Sequence, residues 1–461
     1  MDRKLDKALT DWKNRKNRKP LVVRGARQVG KTFLVRAFSQ QNFQTLVEIN
    51  FDRTPDKKQL FDSSNIERSL QLLEIEENIS TITKDTLLFF DEVQSAPEVF
   101  HFLRYLYEQR PDIPVIAAGS LLEFLLADHN FSMPVGRIDY LHMGPLDFEE
   151  FLMAMGHEKL VQFLETYQLN DSIPESIHKK LLYYTQLFFI VGGMPAAVQS
   201  YIDSSDQLSE ALREHQSILQ TYEDDFSKYR KRTDHHRLKK VFEKLPTLIG
   251  NKLKYVNIDP NDKAKDLANS LELLKMAKIF YKVKHSSGNG IPLRAEVNDK
   301  MFKPLFLDIG LVSSSLGLKL TKLTTDNNMM VNQGALTEQF IGQHLLYSHL
   351  YYEKPELFYW NREAKSSSAE VDYLLTINSS IVPVEVKAGK TGTLKSLQVF
   401  TAEKKSALAL RFNTSTPVSS EQTTRIVNKD DCDYMFISLP LYLVCQVERL
   451  LLAKVRNNFL Q

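Results

Sequence analysis

The chain has 461 residues, 43% of them hydrophobic and 25% charged, with a formal net charge of +2. At roughly 100 to 200 residues per domain this length calls for several domains, and the composition excludes an intrinsically disordered chain. The near-neutral balance excludes a uniformly basic nucleic-acid coat while leaving room for local basic patches.

In chain order, the first stretch is basic: MDRKLDKALTDWKNRKNRKP carries eight Lys or Arg against three Asp, which fits a solvated first helix as well as a phosphate contact. PLVVRG, TLVEINF, DTLLFFDE and IPVIAAGS then alternate with amphipathic stretches and read as strands of a mostly parallel sheet in an α/β domain. Among them lies Gly25-x-x-x-x-Gly30-Lys31-Thr32, after an apolar run and before a helical one. The glycines let the backbone wrap a phosphate whose charge the helix N-terminus stabilises; Lys31 reaches the outer phosphates and the Thr32 hydroxyl ligates magnesium. LLFFDEVQ supplies Asp91 for the magnesium shell and Glu92 to polarise the attacking water. Ser120 is expected either at the terminal phosphate or as a helix N-cap. Arg137 is either the cation that balances transition-state charge or half of a surface ion pair.

From about Asp147 to Lys240 apolar residues recur at three- and four-residue spacing, which predicts helices. LLYYTQLFFIVGGMPAAV lacks charge over a span-like length, but Gly192, Gly193 and Pro195 interrupt it, so a buried helix ending in a tight turn is expected rather than a membrane span. Two more helical patterns and a strand pair bent at SSGNG follow in the order of a winged helix-turn-helix. From about Asn332 the pattern returns to α/β, with NTSTPVSSEQTTRIVNKDDCD reading as a loop. AEVDYLLTINSSIVPVEVKAG reads as a β-hairpin turning at NSS, which puts Glu370 with Asp372, and Glu385 with Lys387, on shared faces. If these converge, Asp372 and Glu385 are magnesium ligands and Lys387 positions or helps activate water. The rival reading is a charged, solvated sheet face. Cys432 and Cys445 are the only cysteines, too few for a disulfide framework or a zinc site of Cys-x-x-Cys type, so a cytoplasmic location is expected.

KPLVVRGARQVGKT, LLFFDEVQ, AAGSLLEFL, VGRIDYLHMGPLDFEEFL and VGGMPAAV, followed by GALTEQFI, YWNRE, EVDYLL and VPVEVKAG, resemble in order the prokaryotic AAA-type ATPases that carry a C-terminal restriction-endonuclease-like domain. The resemblance implies an α/β multidomain chain: a P-loop AAA-type ATPase core with a parallel sheet over 1–146, a helical lid or connector over 147–236, a winged-helix-like segment over 237–320 and a restriction-endonuclease-like domain over 321–461. It also implies nucleotide contacts from Gly30, Lys31 and Thr32, catalysis by Asp91 and Glu92, sensing roles for Ser120 and Arg137, and Glu338 as a further acid beside the hairpin. The expected recognition helix, around AKDLANSLELLKMAKI, carries Lys263, Lys265, Lys275 and Lys278 but no arginine, a departure from the commonest reader of guanine. The expected function is ATP binding and hydrolysis, with ATP and Mg2+ as cofactors, controlling a nucleic-acid-directed, nuclease-like C-terminal half. The alternative is an ATP-dependent switch or DNA- or protein-binding module whose nuclease-like domain is inactive. Expected partners are nucleic acid, DNA ahead of RNA, and a second copy of the chain; no membrane is expected.

Overall fold

A computed structural model describes residues 1–126, 136–229, 233–318, 333–348, 350–362, 369–389, 394–424 and 431–458. The chain divides into two compact units: Met1–Pro145 with Met276–Ile279 and His349–Pro355, and Leu146–Lys275 with Phe280–Ser348 and Glu356–Gln461. The expected boundary at 320/321 lies outside the described residues.

The first unit is built on five strands: β1 (Leu21–Arg24), β2 (Thr45–Asn50), β3 (Thr86–Asp91), β4 (Val115–Gly119) and β5 (Asp139–His142). They are all parallel, in the order β2-β3-β4-β1-β5. Strands buried on both faces read as continuous apolar runs, and every residue of β3 and β4 is buried. Phe51, Phe61, Phe90 and Phe102 pack edge-on or tilted against one another beneath the helices Ile66–Glu76 and Val99–Gln109. Because β4 lies between β1 and β3, the residue after β4, Ser120, is set between the segments that follow β1 and β3. The topology thereby gathers three sequence-distant chain segments at one edge, where ligands of open α/β sheets bind.

The basic N-terminus is tied down by this unit. Arg3 is buried and donates to the carbonyls of Val29 (3.0 Å) and Gly144 (2.9 Å). Lys13 caps Asn42 O at 2.7 Å, Arg15 pairs with Asp139 at 3.2 Å and Arg18 reaches Asp112 O at 2.7 Å.

The second unit holds a mixed sheet of eight strands: β6 (Phe280–Ser286), β7 (Val297–Phe306), β8 (Leu357–Asn361), β9 (Glu370–Ile377), β10 (Ser380–Val386), β11 (Leu408–Asn413), β12 (Val418–Thr423) and β13 (Asp433–Pro440). Their order is β12-β13-β11-β10-β9-β8-β6-β7. The strand pair expected as a wing, β6 and β7, does form antiparallel, yet β6 also pairs in parallel with β8 and so continues the C-terminal sheet. Local sequence specifies a hairpin; it carries no record of which third strand completes the open edge. The segment expected as a loop contains β12, an edge strand antiparallel to β13. None of its residues is buried and all but Val418 are polar, so main-chain hydrogen bonds, not an apolar pattern, define it.

Helices run from Phe148 to Asp225 in this unit. The first starts at a capping box: Asp147 accepts from Glu150 N at 2.8 Å and Glu150 accepts from Asp147 N at 3.0 Å. Glu175–Val191 ends at Gly192, and Pro195 opens the next helix at 114° to it. Buried Asp308 holds this corner by accepting from Gly193 N (2.7 Å) and Gly310 N (2.8 Å). Among the described residues no single helix is long and apolar enough to cross a membrane.

Candidate functional site

Gly30 sits at φ +95°, a conformation open to glycine, and is the N-cap of the helix Lys31–Asn42. Gly25 has a different reason: a Cβ there would lie 2.5 Å from Met143 O, so the loop passes too close to the chain after β5 for any side chain. Buried Lys31 curls back over its own loop, donating to Gly25 O (3.2 Å) and Ala26 O (2.7 Å). Burial lowers its pKa to about 8, against the opposing pull of Glu92 and Asp91.

Thr32 Oγ1 donates to Asp91 Oδ2 at 2.9 Å, and Asn50 Nδ2 donates to the same oxygen at 3.2 Å. Burial, reinforced by the neighbouring Glu92 charge, raises the Asp91 pKa, while the Thr32 hydrogen bond opposes the rise. The separation of the two oxygens suits magnesium: adjacent ligands of an octahedron with bonds of about 2.1 Å stand about 3 Å apart. Thr32 and Asp91 therefore fit a shared cation. Glu92 has φ +50°, a conformation costly to a residue with a side chain. Its carboxylate accepts from Gln94 Nε2 at 2.5 Å and from Ser120 Oγ at 3.4 Å.

Ser120 is thus brought to Glu92, and Arg27 Nε donates to its hydroxyl at 3.3 Å. Arg27, a phosphate-loop cation in direct contact with Ser120, went unnoticed in the sequence because it occupies a variable position of the motif. Arg137 is exposed and its Nε donates to Glu108 at 2.9 Å. Lys278, expected on a recognition helix, lies beyond the end of Ala264–Met276 at φ +59° with its side chain 11% exposed and Nζ 3.2 Å from Glu123, which also pairs with Arg24. The ammonium is consumed inside the first unit and is no groove-facing charge. Lys263 and Lys265 are exposed, and Lys275 pairs with Glu272.

In the second unit β9 and β10 form the hairpin, with Ile377 opposite Ser380 across Asn378 and Ser379. Asp372 Oδ2 accepts from Val386 N at 2.8 Å, and Lys387 pairs with Glu385. The acids converge, and with them comes a group that sequence reasoning missed. Lys303 of β7, only 2% exposed at its side chain, sets Nζ 2.8 Å from Glu338, 2.6 Å from Glu370 and 3.6 Å from Asp372. The same ammonium lies 5.5 Å from the centre of the Tyr359 ring, and Lys252 adds a second bond to Glu370 at 2.9 Å. Burial alone would lower the Lys303 pKa, but Glu338, Asp372 and Glu370 together raise it. Burial pushes Glu338 up to about 8 and Glu385 up to about 7, with Asp372 contributing to both. Among the described residues no group of three or more His, Cys, Asp or Glu is arranged to hold a metal ion.

Residues 17–152 match a family model described as an AAA domain. Residues 184–322 and 333–442 match models described as domains of unknown function, DUF8612 and DUF4143. No curated protein matches the sequence. Among solved structures, C. elegans PCH-2 is similar at 13% identity and a TM-score of 0.23, over 39% of this chain and 54% of that chain. The chain thus spans about half the length of PCH-2. The Aeropyrum pernix ORC1 protein in complex with DNA is similar at 12% identity and a TM-score of 0.27, over 68% of this chain and 90% of that chain. The Thermotoga maritima RuvB Holliday junction branch migration motor is similar at 14% identity and a TM-score of 0.27, over 60% and 87%. TM-scores this low establish no common architecture. The part of the chain that matches the AAA-domain model, residues 17–152, thus carries the five-stranded parallel sheet and the contact between the phosphate loop and the strand-end carboxylate.

Proposed function

We propose that the chain binds ATP with magnesium and hydrolyses it at the edge of the five-stranded sheet where Lys31, Thr32, Asp91, Glu92 and Ser120 meet. The observation that carries this reading is the 2.9 Å contact between Thr32 and Asp91, which links the phosphate loop to the acid-ended strand at the spacing of two magnesium ligands. Magnesium, when bound, would supply charge neutralisation at the phosphates. Lys31 exchanges its loop carbonyls for the outer phosphate oxygens, and Gly25 and Gly30 let the backbone close around them. Glu92 accepts the proton of the attacking water, while Ser120 and Arg27 fix the carboxylate's surroundings. Phosphate release from ATP, dependent on magnesium and lost on Glu92→Gln with nucleotide binding kept, is the test; undiminished turnover in that variant would remove Glu92 from the chemistry.

Arg137 is proposed as a transition-state cation that acts on a second copy of the chain, since its own chain engages it through Glu108. Mixing Arg137→Ala with Lys31→Ala protein should then restore turnover that neither has alone. The helices from Phe148 to Asp225 are proposed as a lid or connector, and the second unit as the nucleic-acid-directed, nuclease-like half, with DNA ahead of RNA and a cytoplasmic setting. Exposed Lys263 and Lys265 support a phosphate contact, which salt-sensitive DNA retardation, reduced by their joint replacement with alanine, would test. One observation favours the second reading, an ATP-dependent switch whose nuclease-like part does not cut: the ammonium of Lys303 among the hairpin's acids.

A further inference from the structure

Four carboxylates, Glu338, Glu370, Asp372 and Glu385, face three ammonium groups, Lys252, Lys303 and Lys387. A nuclease-like site of this kind needs a hard divalent cation held by its acids at about 2.0 to 2.6 Å. Those acids are otherwise engaged. Asp372 gives one oxygen to Val386 N and the other faces Lys303; Glu370 is bound by Lys303 and Lys252; Glu338 is bound by Lys303. Glu385 gives one oxygen to Lys387, and its buried Oε2 has no hydrogen-bond partner. A metal drawing on Glu338, Glu370 and Asp372 would meet the ammonium of Lys303, whose side chain is only 2% exposed. The residues present do not fit a resident magnesium ion.

We propose that Lys303 is the resident cation of this cluster, standing in place of a divalent metal and holding the hairpin in a metal-free, non-cleaving state. The lysine comes from β7, separated from β9 by β8 and β6 in the sheet order, so the seal depends on β7 keeping its place at the sheet edge. The proposal rests on the reading of the hairpin as nuclease-like, since only then does withdrawing Lys303 uncover a metal site. A chemically simpler device serves the same acids: a covalently attached charge cannot be removed by a chelator, and it ties three elements together through hydrogen bonds as well as charge.

The test is Mn2+ binding to the nucleotide-free full-length chain, read by calorimetry and by electron paramagnetic resonance. Wild type should show no saturable site that Asp372→Asn removes. Lys303→Met should gain one such site, and adding Asp372→Asn to it should abolish the gain. Where Lys303→Met does not fold, Lys303→Gln with Glu338→Gln removes one charge of each sign and keeps Glu370, Asp372 and Glu385 for the same titration. Saturable binding by wild type that Asp372→Asn abolishes overturns the proposal and leaves the nuclease-like reading standing. Folded Lys303 variants that bind no Mn2+ overturn it by removing that reading as well.

Discussion

Two buried lysines sit among carboxylates in this chain, and their surroundings drive them in opposite directions. Lys31 hydrogen-bonds only neutral carbonyls, and burial lowers its pKa to about 8. Lys303 touches Glu338 and Glu370 directly, and their attraction, with that of Asp372, outweighs its burial and raises its pKa. A lysine held by carbonyls can exchange them for phosphate oxygens. One already neutralised by acids gains little from any new anion and loses much by leaving. The first is therefore a working cation and the second a fixed one.

The largest effect that would sharpen this contrast is in Lys31→Ala, where magnesium-dependent phosphate release should fall to background and nucleotide affinity should weaken, while the melting transition of the second unit stays in place. Retained turnover would break the comparison at its first term. Next is Glu92→Gln, expected to slow hydrolysis by roughly 10²- to 10⁴-fold with binding preserved, the range for loss of a general base; an equal loss of binding would assign Glu92 a structural role. Lys303→Met should lower unfolding free energy by about 3 to 5 kcal/mol, because it strands buried carboxylates; urea melts finding a loss below about 1 kcal/mol would show the ammonium to be dispensable.

Titration separates the two lysines more gently. With its folded pKa depressed, Lys31 adds stability fully above the unfolded value near 10.5 and loses it as pH falls through about 8. Nucleotide binding has the opposite sign, because it needs the protonated form, so affinity should decline by up to about tenfold per pH unit above about 8. Lys303, raised, keeps its full contribution below about 10.5 and yields it only above that. Affinity that stays flat between pH 8 and 10 in equilibrium titrations would contradict the depressed Lys31 value. The smallest effect is a control: Arg137→Ala removes an exposed pair with Glu108 and should leave the melting temperature of the isolated chain unchanged.

The phosphate-loop site was legible because its parts are local. Gly25, Gly30, Lys31 and Thr32 lie within eight residues, and Asp91-Glu92 ends a wholly buried strand whose apolar run announces it. What sequence reasoning passed over there, Arg27 beside Ser120, depends on β4 lying between β1 and β3. The hairpin acids were legible too, through two-residue periodicity. Lys303 was not, because it lies within the segment 237–320 expected to be winged-helix-like, and Lys278 was placed on a recognition helix although it pairs with Glu123.

By itself, then, the sequence determined the loop that can cradle a phosphate, the strand that presents its acids, the corner at Gly192 and the hairpin that pairs Asp372 with Glu385, each written in spacing along a few residues. Only the tertiary structure decided which cation meets which anion. A buried charge takes its partner from whatever the packed sheet brings within about 3 to 4 Å. Here β7, a strand more than sixty residues before the hairpin, delivers Lys303 to Glu338, Glu370 and Asp372, the last of which sequence alone had assigned to a metal.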